Sequence, residues 1–61
     1  MPNYLVVYTN GEVNNSCTFD FSENLAPFTL MLRELGYRYE VYFWFPDRGY
    51  VRTTKYPAAR H

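Results

Sequence analysis

Tyr37-Arg38-Tyr39-Glu40-Val41-Tyr42-Phe43-Trp44-Phe45 is the stretch on which the fold turns. Most of its residues are aromatic or β-branched, types that fit a pleated surface, so 37–45 is predicted to be a strand. Pro46-Asp47-Arg48-Gly49 then supplies a polar turn, type I with Gly49 in a bulge, and residues 50–56 return as a second strand. Alternation places Tyr37, Tyr39, Val41, Phe43 and Phe45 on one side of the first strand, joined across the hairpin by Val51. Arg38, Glu40, Tyr42 and Trp44 fall on the other. Both sides carry large rings, so this hairpin needs more cover than one packing layer provides.

Immediately before it, Gly36 stands where a helix should end in the left-handed conformation. Leu25, Phe28, Met31, Leu32 and Leu35 recur at helical spacing and predict a helix over 23–35 with one apolar stripe. Pro27 is tolerated only in the first turn, where its missing N–H costs nothing. Ser22 or Asp20 can cap that turn, and Asp20 with Glu23 has capping-box spacing.

The chain opens with residues 3–9, rich in β-branched and aromatic side chains, then Asn10-Gly11, a strong signal for a two-residue type I′ hairpin turn. The second strand spans 12–21. A two-residue turn pairs Thr9 with Glu12, Tyr8 with Val13, Val6 with Asn15 and Tyr4 with Cys17. The expected buried face is Tyr4, Val6, Tyr8, Val13, Cys17 and Phe19, with Leu5 and Val7 opposite.

The element order is ββαββ in a single domain over 1–61, with 57–61 a flexible tail. The expected class is α+β: a four-stranded antiparallel sheet with one helix packed on one face. That helix leaves the other face uncovered. A three-residue turn in the second hairpin is expected to set Trp44 opposite Arg52, Tyr42 opposite Thr54 and Glu40 opposite Tyr56. The predicted partner-binding residues are therefore Tyr42, Trp44, Tyr50, Arg52 and Tyr56, flanked by Arg38 and Arg48, with Leu5 and Val7 beside them. Trp44 over Arg52 could equally be a local cation–π pair that stiffens the hairpin. A register slip of one residue would exchange the two faces.

Composition sharpens the functional reading. Aromatic residues are 21% of the 61-residue chain, and the formal net charge is zero. The charge is nevertheless split: Glu12, Asp20 and Glu23 precede residue 33, whereas all six basic residues lie from Arg33 onward. A chain this short has marginal stability and usually needs a staple. Cys17 is the only cysteine and His61 the only histidine, so neither an internal disulfide nor a metal site is expected. Self-association is the remaining staple, through the outer sheet face or by edge-to-edge strand addition at the fourth strand.

No nucleophile-and-base set, no clustered glycines and no paired acids are evident, so the protein is expected to be non-enzymatic, with no cofactor. No apolar run reaches the ~20 residues of a membrane span, and Met1-Pro2-Asn3-Tyr4 has no signal-peptide character. An intracellular, cytoplasmic protein is expected, which makes the glycosylation pattern at Asn14-Asn15-Ser16 a chance match. The expected partners are a second copy, a larger protein, or both; an inhibitor or adaptor encoded by a phage or another mobile element has this size. The alternative is single-stranded nucleic acid, with bases stacking on the aromatic and basic face. A pI near 6.5 weighs against it.

Overall fold

The structure, a computed structural model, describes residues 2–53. Strands β1 (Tyr4–Thr9) and β2 (Asn14–Phe19) precede a 3-10 turn (Ser22–Asn24) that runs into helix α1 (Leu25–Glu34). Strands β3 (Arg38–Phe45) and β4 (Gly49–Thr53) follow. All neighbouring strands are antiparallel, in the order β2-β1-β3-β4, with one α-helix among the described residues. The α+β, ββαββ class read from the sequence is therefore the observed one. The predicted last part of the fourth strand, to Tyr56, and the 57–61 tail lie outside the described residues.

Both hairpins depart from their predicted registers by two residues. Thr9 pairs with Asn14, Val6 with Cys17 and Tyr4 with Phe19, so four residues rather than two connect β1 and β2. The side chain of Asn10 explains the longer loop. Its Oδ1 accepts the N–H groups of Glu12 and Val13, each at 2.9 Å, while the Gly11 N–H donates to Thr9 Oγ1 at 3.0 Å. These contacts build an Asx turn in place of the type I′ turn. Gly11 keeps its positive φ of 97°. Val13, assigned to the buried face from its alternation, sits in this loop and is 51% exposed.

In the second hairpin Tyr42 pairs with Arg52, Trp44 with Tyr50 and Phe45 with Gly49. The Trp44–Arg52 facing pair is therefore replaced. A slip of two returns every side chain to its own face. The division of the sheet into helix side and outer side is accordingly as predicted.

On the helix side, Tyr4, Val6, Leu25, Leu32 and Val41 form the buried core. Around them rings meet edge-on or tilted: Phe19 with Phe28 at 5.1 Å, Phe28 with Tyr8 at 5.4 Å, and Tyr4 with Phe43 at 5.2 Å. The apolar stripe of α1 is rotated from the one predicted. Thr29, not Met31, joins Leu25 and Leu32 inside, its hydroxyl donating to the Ala26 carbonyl at 3.2 Å. Met31 and Leu35 are 44% and 64% exposed.

The expected Asp20–Glu23 capping box does not form. No side chain caps the 3-10 turn or α1, and the turn itself leads into the helix. Pro27 stands in the first turn of α1, as its chemistry requires. At the other end Gly36, with φ 83°, donates to the Arg33 carbonyl, and Tyr37 N–H donates to Leu32 O at 2.8 Å. This paired closure is a Schellman motif. It turns Tyr37 back over the core, where its ring meets Tyr8 at 5.8 Å.

Candidate functional site

The outer face is assembled by β1, β3 and β4, whose registers place Leu5 beside Tyr42, Val7 beside Glu40, and Arg52 and Tyr50 across from Tyr42 and Trp44. One helix cannot reach this side. Leu5, Tyr42, Trp44 and Tyr50 are half-buried, Val7 is 37% exposed, and Arg38 and Arg52 are open to solvent.

Two local networks hold the face. In the first, Glu40 is central: Tyr42 Oη donates to its Oε1 at 2.8 Å, and Arg52 Nη1 lies 3.8 Å from its Oε2. The hydrogen bond to the carboxylate, helped by desolvation and the negative charge of Glu40, raises the Tyr42 phenol above its ordinary value, and Arg52 partly opposes this. The Glu40–Arg52 pair is well exposed and contributes under about 1 kcal/mol.

The second network surrounds Trp44. Its ring meets that of Tyr50 at 5.0 Å and 67°, its backbone N–H donates to Asn3 O at 2.9 Å, and Tyr50 Oη donates to Pro2 O at 2.7 Å. Tyr50 thus reaches past Trp44 from β4 to the segment leading into β1, tying three strands together on the outer side.

Of the residues predicted to bind a partner, Tyr42, Trp44, Tyr50, Arg52 and Arg38 share this face. Arg48 does not join them. It lies in the β3–β4 turn with its guanidinium 4.9 Å from the centroid of the Phe45 ring, and Phe45 belongs to the helix side. The cation–π contact of this hairpin is therefore Arg48 on Phe45, while Arg52 is engaged by Glu40. Tyr56 lies outside the described residues. Glu40, passed over as a site residue, organises the face. Its role follows from the Tyr42–Arg52 pairing, which the assumed register hid.

Beside Glu40 the face dips into a shallow depression of about 440 Å³, with Val7, Thr9, Asn14, Arg38 and Arg52 among its lining residues. Its lining carries two guanidiniums, the Glu40 carboxylate and the Val7 side chain. No group of three or more His, Cys, Asp or Glu side chains among the described residues could hold a metal ion. No helix among them is long and apolar enough to cross a membrane. No family model, curated protein or solved structure matches the chain.

Proposed function

We propose that the protein is a non-enzymatic binding module that docks another protein on the outer sheet face. One observation carries this reading. A row of apolar and aromatic side chains (Leu5, Val7, Tyr42, Trp44 and Tyr50), flanked by Arg38 and Arg52, lies on the side of the sheet that the helix does not cover. Tyr, Trp and Arg dominate the energetics of protein interfaces, and the Glu40 and Tyr50 networks hold them in place before a partner arrives. An inhibitor or adaptor that acts on a larger protein in the cytoplasm, as mobile elements encode, is the biological form that suits this surface.

Capture from a cell lysate with immobilised wild type and Trp44→Ala tests the proposal, once circular dichroism shows that the variant folds. A protein retained by the wild type and lost from the variant is expected. Equal retention by both would remove the outer face from the binding surface. The same rings between Arg38 and Arg52 also suit stacking of single-stranded bases. In that case mixed oligonucleotides quench Trp44 fluorescence, and the quenching fades as salt rises.

A further inference from the structure

We propose that β2 is an assembly edge, and that its occupant is the β2 strand of a second copy of this chain, paired antiparallel about Ser16. This goes beyond the outer-face reading and uses a different surface.

The backbone shows which groups of β2 are free to pair. In an antiparallel sheet, alternate residues direct their N–H and C=O to opposite neighbours. Trp44 N–H donates to Asn3 O, so Asn3 faces β3. By alternation Leu5, Val7 and Thr9 also face β3, and Tyr4, Val6 and Tyr8 face β2. Their partners there are Phe19, Cys17 and Asn15. The backbone groups of Asn14, Ser16 and Thr18 consequently point away from β1, toward the open edge of the sheet.

Natural edge strands are usually blunted by lysine, proline, inward charges or a bulge. β2 reads Asn-Asn-Ser-Cys-Thr-Phe, without a charge or proline, and pairs with β1 without interruption. β4, the other edge, carries Arg52 among its outward-directed residues.

A second observation points to the same edge. Phe28 leans from α1 toward β2, meeting the Phe19 ring at 5.1 Å. Met31 and Leu35 follow it at i+3 and i+7, on the same flank of the helix, and both are exposed. Phe28 also meets Tyr8 of β1, and helical geometry puts the two exposed apolar side chains on the Phe28 flank of α1. A further strand added to β2 would run beneath them, with the partner's Cys17 and Phe19 on its helix-facing side.

The partner is identified as a second copy on two grounds. The edge is self-complementary: about a two-fold axis at Ser16, Asn14 faces the partner's Thr18 and Asn15 faces the partner's Cys17. Facing pairs at 14, 16 and 18 form roughly six backbone hydrogen bonds, two per pair. Among the described residues, moreover, the buried apolar side chains of the core are the five Tyr4, Val6, Leu25, Leu32 and Val41, and cross-strand burial by a partner would enlarge it. A two-fold contact closes at the dimer and keeps both outer faces on one side of a continuous eight-stranded sheet. Its unfavourable feature is that Glu12 comes opposite the partner's Asp20, so added salt tightens the dimer.

The test combines sedimentation with residue-resolved amide exchange across protein concentration. A dimer is expected at tens of micromolar, with the amides of Asn14, Ser16 and Thr18 slowing as it forms while those of Tyr50 and Arg52 do not. Ser16→Pro removes an outward N–H without touching the β1 ladder and should abolish the dimer. Met31→Glu with Leu35→Glu, at positions the monomer leaves exposed, should weaken it at least about tenfold, or 1.4 kcal/mol. Trp44→Ala should leave it intact, which separates this edge from the outer-face proposal. A monomer at every concentration, or a dimer in which these three amides exchange as in the monomer, overturns the inference. So does slowing of those amides only when a different protein is added.

Discussion

Leu32 and Leu35 occupy the same apolar stripe in the sequence, yet α1 treats them in opposite ways, and this makes a sharp test of the packing. Leu32 is 1% exposed among Tyr4, Val6, Leu25 and Val41, whereas Leu35 is 64% exposed. Truncating a fully buried leucine to alanine forfeits its transfer free energy and leaves a cavity, about 3 kcal/mol in total. A domain of this size has a stability of about 3–9 kcal/mol, so Leu32→Ala should remove a third or more of it. Leu35→Ala, on the surface of the monomer, should cost under about 0.5 kcal/mol. Urea unfolding followed by Trp44 fluorescence measures both, at protein concentrations dilute enough to exclude dimer. If Leu35→Ala costs as much as Leu32→Ala under those conditions, the helix is rotated from the orientation described and the core assignment fails. A Leu35 penalty that emerges only as concentration rises is instead the signature expected of the β2 edge.

Three further outcomes follow from particular contacts. Gly36→Ala should destabilise by about 1 kcal/mol, because nothing crowds the site and the cost is that of holding an L-residue at φ 83°; the same urea titration measures it. Tyr50→Phe removes the phenol that donates to Pro2 O at 2.7 Å, and should cost about 1 kcal/mol while speeding exchange of the Trp44 amide, which that segment holds through Asn3. Glu40→Gln should lower the Tyr42 titration, read from its ring resonances between neutral and alkaline pH, because the hydrogen bond to a carboxylate and then the negative charge that raise it are gone, while Arg52 remains. In the wild type the raised phenol stabilises the fold fully below the unfolded tyrosine value of about 10, and this contribution is lost as pH rises through the higher folded value.

Element order and the division of β1, β3 and β4 between the helix side and the outer side were legible in the sequence; the place of Val13 was not. Alternation in 37–45, helical spacing in 25–35 and Gly36 each carry a local physical signal. Register was not, because it depends on how each loop satisfies its backbone. Asn10 can close a two-residue type I′ turn with Gly11, or use its own Oδ1 to hold two N–H groups in a longer loop. The dipeptide is the same in both cases. The helix stripe failed for a related reason. Spacing makes Met31 and Thr29 competitors for the inward position, and α1 turns Thr29 inward, where its hydroxyl is satisfied by the Ala26 carbonyl. Glu40 was missed as a site residue because its value lies in reaching Tyr42 and Arg52 together, which only the corrected pairing allows.

The aromatic excess takes on a narrower meaning once the rings of the described strands and helix are placed; Phe21, between β2 and the 3-10 turn, is 63% exposed. Tyr4, Tyr8, Phe19, Phe28, Tyr37, Tyr39, Phe43 and Phe45 lie on the helix side, in or around the core. Their number reflects a size constraint: one ten-residue helix supplies few inward side chains, and large rings cover the most area per residue. Tyr42, Trp44 and Tyr50 lie on the outer face, which α1 does not cover. A purely structural account would make them stiffeners of the β3–β4 hairpin, and Tyr50 does serve that end through Pro2. Leu5 and Val7 do not fit that account. They lie on the neighbouring strand β1, beside Tyr42 and Glu40, and extend the apolar strip beyond the hairpin. A strip that crosses from β4 to β1 is more than one hairpin needs, and that surplus supports binding over reinforcement.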